Sequence, residues 1–306
     1  MKIVSTTFAV LIFLVLSAIT ASAQDKQEYS GALLWKVSGN GLEKPSYILG
    51  THHLAHVSFI DSIPGLKTVI DNAEQTVGEL LMSDQTAMQA KIQEGAIMPA
   101  GESYKNMLSD EDYAKLDKGL KDLFSVGLEQ FGQLKPGMIS MIYTITLYTK
   151  FYPGFNPVNH EAIDAYVQRI AKEQNKSVLG LETVEDQITA LFDSEPLKDQ
   201  AITLACVVGQ GESIKESLDK LNNYYRNGEL SKMYDLAFND PDDTCRSSQN
   251  YLNALNKDRN DKWLLKLPQI MKDKSSLIAV GALHLAQKDG LLYQLAKMGY
   301  KVEAVK

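Results

Sequence analysis

The sequence predicts an α/β (α+β) fold on three observations: a largely parallel central sheet with helices packed on it, carrying a large helical insertion. Short apolar runs alternate with helical periodicity near both ends of the chain. Four of those runs stop at a glycine followed, within three residues, by a histidine or a carboxylate. Between them lie two stretches, about 83–160 and 184–267, whose apolar spacing is helical and interrupted rather than alternating.

Taken in order, apolar runs at 32–37 and 46–49 flank Ser38-Gly39-Asn40-Gly41, which predicts a hairpin. Ile60, Ile63, Leu66, Val69 and Ile70 then recur at helical spacing, with Pro64 placed where a first turn accepts it. Residues 75–81 follow as a buried strand. The strand-helix-strand unit so formed predicts parallel pairing through a right-handed crossover. In the first helical stretch, Asp110-Glu111-Asp112 opens one helix and Pro136-Gly137 precedes another. Residues 161–175 form an amphipathic helix and 177–181 a strand; after the second helical stretch come strand 277–280, helix 291–297 ended by Gly299, and closing strand 302–305.

Composition narrows the function. The 306 residues carry a net charge of −7, which supplies no basic field for a nucleic acid partner. Lys2, the apolar run 8–16 and Ala21-Ser22-Ala23 read as a signal peptide over 1–23, leaving 24–306 as one domain, exported to a periplasmic or extracellular space without stable membrane insertion. As a membrane anchor the run is broken too early by Ser17, Thr20 and Ser22. The apolar stretch 138–148 is only 11 residues and suits a buried helix. An oxidising compartment favours a Cys206–Cys245 disulfide over two buried thiols.

The chemistry is expected where the strands end. Gly50-Thr51-His52-His53, Gly78-Glu79, Gly180-Leu181-Glu182 and Gly281-Ala282-Leu283-His284 each follow an apolar run, and the carboxyl ends of parallel strands share one edge of a sheet. Glycine there permits sharp turning and close approach. His53, Glu79, Glu182 and His284 should therefore converge, whereas each alone reads as a cap or solvated loop residue, as Thr183-x-x-Asp186 does. His52, His56 and His160 read as surface or supporting positions, and Tyr143, Tyr148, Phe151 and Tyr152 as core, with a substrate wall as the secondary reading. Two imidazoles and two carboxylates can hold Zn, Mn, Co or Fe and acidify a bound water; equally, a histidine polarised by a glutamate can act on water without metal. Arg259, expected just before a helix starting near Asp261, is an oxyanion stabiliser or a solvated charge.

Leu34-Trp35-Lys36-Val37-Ser38-Gly39, Pro45-Ser46-Tyr47-Ile48-Leu49-Gly50-Thr51-His52-His53-Leu54 and Val280-Gly281-Ala282-Leu283-His284-Leu285 resemble the TraB/GumN family, related to the Tiki metalloproteases. Gly180-Leu181-Glu182-Thr183, Arg259-Asn260 and the stretch from Gly290 to Val302 extend the likeness over nearly the whole chain. The resemblance implies a mixed sheet flanked by helices, with a site made of His53, His284, Glu79, Arg259 and Asn260, and a Mn- or Co-dependent protease activity. His52 stands where the motif often has a hydrophobic residue, which leaves open whether it adds to or replaces a ligand. Other relatives imply metal-free hydrolysis, haem carriage or inactivation of peptide pheromones. The resulting expectation is an exported metal-dependent hydrolase of peptides or small molecules. His53, His284 and Glu79 would hold a divalent Mn, Co or Zn, with Glu79, Glu182, Arg259 and Asn260 catalytic. The alternative is a non-catalytic protein that sequesters a peptide or haem-like ligand, and a third reading is a degenerate family member with only a structural role.

Overall fold

The structure is a computed structural model that describes residues 29–82 and 85–306. The expected signal peptide at 1–23 lies outside the described residues.

One six-stranded mixed sheet organises the chain: β1 (Leu34–Ser38), β2 (Ser46–Thr51), β3 (Gln75–Gly78), β4 (Ser177–Gly180), β5 (Ser276–Gly281) and β6 (Lys301–Ala304), in the spatial order β4-β3-β5-β2-β1-β6. β1 and β2 form the expected antiparallel hairpin, and β6 closes the edge antiparallel to β1. The other four strands are mutually parallel, with Gly78 level with Gly180 and Ala279, and Thr51 level with Gly281. The strand-helix-strand unit needs one correction: β2 and β3 are parallel but not neighbours, because β5 from the far end of the chain lies between them. β5 is fully buried along Leu277, Ile278, Ala279 and Val280, as a central strand covered on both faces requires.

Local chemistry moves several boundaries. The turn Val57–Ser62 is 3₁₀, and the following helix starts only at Leu66, since Pro64 and Gly65 intervene and Gly65 holds φ +72°. A side chain at Gly65 would also stand 2.7 Å from Val305 Cγ1. β3 stops at Gly78 rather than Leu81, because Gln168 draws the next residues off the sheet: its Nε2 donates to the Leu80 carbonyl and its Oε1 accepts from the Met82 N–H.

A large core packs helices against the sheet around Trp35, Ile48, Val77, Trp263 and Ile278. A second apolar cluster lies in the helical region, where Leu116, Leu120, Ile139, Tyr143 and Leu147 of the first helical stretch meet Ala201, Leu204 and Val208 of the second. The helix Pro136–Phe151 runs through it with Pro136 in its first turn. Among the described residues no helix is long and apolar enough to cross a membrane. Cys206 and Cys245 are disulfide-bonded, so the alternative of two thiols does not hold.

Candidate functional site

The four parallel strands end along one edge, and their spatial order sets the order of the side chains that follow: Glu182 after β4, Glu79 after β3, His284 after β5 and His53 after β2. The glycines serve close approach rather than turning, since none of Gly50, Gly78, Gly180 and Gly281 has a positive φ. A Cβ on Gly180 would stand 2.8 Å from the Leu81 N, and one on Gly281 would stand 3.3 Å from Glu79 Oε1, which accepts the Gly281 N–H at 2.7 Å.

Arg259 occupies the centre of this edge. It sits inside the helix Lys257–Leu264, not before it as the sequence suggests, and its side chain is only 13% exposed. Its Nε and Nη2 donate to Glu182, Nη2 also to Glu79 Oε2 at 2.5 Å, and Nη1 to the Leu255 carbonyl and to His284 Nε2, both at 3.1 Å. The guanidinium also lies over the Trp263 ring at 4.9 Å, and Trp263 Nε1 donates to Glu182 Oε2. Every N–H of Arg259 is thus engaged, so as it stands the residue has no donor left for an oxyanion, and it is not a solvated charge either.

Asn260 orients His284. Its Nδ2 donates to the carbonyls of His284 and Asp289, which leaves Oδ1 to accept from His284 Nδ1–H at 2.8 Å. The proton is therefore on Nδ1, and the Nε2 lone pair faces Arg259. Burial pushes the His284 imidazole down to about 3, with Glu79 opposing and Arg259 reinforcing that shift, so the ring is neutral near pH 7. Burial alone would raise the Glu79 carboxyl, but the surrounding cationic groups and the Gly281 N–H outweigh it and hold it at about 2.

His53, after β2, lines the same cleft and differs in kind. Its ring is 66% exposed, with Nδ1 3.4 Å from Asp164 Oδ2. The Asp164 carboxylate beside Nδ1 pushes the imidazole up to about 9, with the Glu79 charge assisting. Asp164 is a site residue that the motifs did not reveal. A signal was present, because Asp164, Val167 and Ala171 share the buried face of the helix Ile163–Glu173, and a carboxylate on such a face needs a partner. Asp164 Oδ1 and Thr51 Oγ1 are buried without a hydrogen-bond partner among the described residues.

The remaining histidines separate. His52 is buried rather than on the surface, packed at 5.3 Å from the Tyr225 ring and held down at about 4 by burial and by the charge of His53. Its Nδ1 accepts the Leu54 N–H, so it supports the loop. His160 Nε2 meets the His53 carbonyl at 2.7 Å, and His56 caps the 3₁₀ turn through the Ser58 N–H.

His53, Glu79, Arg259 and His284 line one cavity of about 350 Å³, walled by Leu54, Leu221, Met233, Phe238 and Leu283. The expected metal ligands do not fit a divalent ion in this arrangement. Among the described residues no group of three His, Cys, Asp or Glu side chains is disposed to hold one, the His284 lone pair accepts from Arg259, and both Glu79 oxygens are engaged. The positive charge between the two carboxylates is the guanidinium itself.

No curated protein and no solved structure matches the chain. The TraB/PrgY/gumN family matches over residues 33–304, a span that takes in all six strands and every side chain of this cleft, and the chain belongs to that family.

Proposed function

We propose that the protein is an exported hydrolase of peptide or peptide-like amide bonds, with His53 as the group that moves the proton. One observation carries the reading: an accessible imidazole, backed by the buried Asp164, lines the same apolar-walled cleft as Glu79, Arg259 and His284, which are tied together and to Glu182. Asp164 engages Nδ1, which leaves Nε2 to face a substrate. In its neutral form that nitrogen takes a proton from water as the water adds to the carbonyl carbon, and the imidazolium then returns the proton to the departing nitrogen. Asp164 steadies the imidazolium as it forms.

Asp164 holds the imidazole near 9, so the neutral form is the minority at neutral pH and hydrolysis rises towards pH 9. The metal-assisted route that the sequence favours would first require Arg259 to leave His284 and Glu79. Export is supported by the N-terminal signal pattern and by the disulfide.

The saturation of Arg259 favours the rival reading, a protein that sequesters its ligand without turnover, because Arg259 has no donor left to meet a developing negative charge. A peptide library incubated with and without chelator and read by mass spectrometry decides. Cleavage that persists in chelator and falls about 10²–10⁴-fold in His53→Ala is the expected result. Saturable binding with no product overturns the hydrolytic reading.

A further inference from the structure

A second cavity, of about 410 Å³, adjoins the cleft, and the two share Leu54 as a wall. The helix Ile214–Arg226 runs past both, giving Leu221 to the cleft and Asn222, Tyr225 and Arg226 to its neighbour. The neighbour's lining is aromatic and cationic. Phe59, Tyr148, Tyr152 and Phe155 contribute rings, and Tyr148 lies 4.3 Å from Tyr152 and 5.0 Å from Phe155. Arg226 and His56 are the ionisable nitrogen groups, and no carboxylate lines the cavity, although the chain as a whole carries −7.

Arg226 is the informative residue. It is exposed, and among the described residues it makes no hydrogen bond or ion pair. Arg169 and Arg259, by contrast, each engage two carboxylates. Asp219 accepts from Tyr152 at 2.6 Å but is paired with Lys215 and stands outside the lining. An unengaged guanidinium beside stacked rings suits a carboxylate carried on an apolar body, since the planar fork pairs bidentately with two oxygens.

We propose that this cavity is a recognition subsite for a carboxylate of the peptide whose amide bond lies in the cleft, with Arg226 pairing the carboxylate and the aromatic wall holding the adjoining side chain. The proposal rests on the peptide reading above for its substrate class. Two sources supply that chemistry: a C-terminal carboxylate, or an acidic side chain within the peptide.

The probes are N-acetyl-alanyl-alanyl-phenylalanine as the free acid, the same tripeptide as its amide, and the amide with glutamate in place of the central alanine. Binding at millimolar concentration is followed by NMR on the full chain and on Arg226→Gln, with Arg226→Lys as the variant that keeps the charge without the fork. The expected result is at least tenfold tighter binding of the free acid than of the amide, a difference that Arg226→Gln abolishes and Arg226→Lys restores in part. If the glutamate-containing amide also recovers the affinity, the side-chain source is served as well. Equal binding of acid and amide, a preference that survives Arg226→Gln, or no binding by any probe overturns the proposal. Cleavage in the library without the acid preference would sink this subsite and leave the hydrolase standing. Arg226-dependent acid binding without cleavage would do the reverse.

Discussion

His284 turns its Nε2 lone pair on Arg259 Nη1 at 3.1 Å, so the nitrogen best placed to ligate a metal is committed to a guanidinium. The same guanidinium lies 2.5 Å from Glu79 and 2.6 Å from Glu182, which places an internal cation where the strand-end carboxylates converge. Two buried carboxylates facing each other without it would repel strongly.

Chelation should therefore leave function unchanged. Protein dialysed against chelator is expected to keep its thermal midpoint and its peptide cleavage, and titration with Zn, Mn or Co should show no tight stoichiometric site by calorimetry. A one-to-one metal that resists dialysis and restores lost activity would reverse this assignment.

Arg259→Met should cost about 3–5 kcal/mol in urea unfolding, because it leaves buried Glu79 and Glu182 without their counter-charge and breaks the contact with Trp263. Arg259→Met combined with Glu182→Met should lose less than the two single changes added together. A loss below about 1 kcal/mol for the single variant would mean that the network is solvated, as surface pairs are.

Glu79, Glu182, His53 and His284 were legible as one site because each follows an apolar run and a glycine, and parallel strands place such positions on a common edge. The strand order was not legible: nothing local in residues 46–78 signals that β5, some 200 residues later, inserts between β2 and β3. Asp164 was missed because an acidic residue in a first helical turn is ordinarily explained by the helix dipole, and its partner His53 is far away in sequence. His52 reads from the sequence as surface or supporting, and it is the supporting role that its burial fits; the covering ring of Tyr225, from a helix in the second helical stretch, has no local signal. Arg259 reads from the sequence as lying ahead of a helix that starts near Asp261, whereas the helix starts four residues earlier, at Lys257, and so carries Arg259 within it.

The Cys206–Cys245 bond closes a loop with a sequence separation of 39, tying the helix Leu197–Gln210 to the segment before Gln249. Cys245→Ser should lower stability by about 2–4 kcal/mol, most of it through the freed unfolded chain. Leu221, Met233 and Phe238 of the cleft wall lie within the loop that this bond closes, so ligand affinity of the folded variant should weaken along with its stability. A comparable drop in wild-type stability on adding reductant checks that the bond forms in the isolated protein.

Asp164→Asn isolates the source of the His53 charge. In the folded chain the ring titrates near 9, raised first by the Asp164 carboxylate, whereas an unfolded histidine titrates near 6.5. The charged ring therefore contributes stability that is fully present below about pH 6.5 and is lost as the pH rises through about 9. With asparagine at 164 the interaction with a charged carboxylate disappears, so NMR titration of His53 should find the ring lowered towards its ordinary value. The decline of stability between about pH 6.5 and 9 should flatten in step. The same substitution separates geometry from proton affinity in turnover: the pH at which cleavage half-rises should follow the His53 titration downwards. A His53 resonance that still titrates near 9 in the variant would show that Asp164 does not set its charge, and the proton-transfer role given to this pair would fall with it.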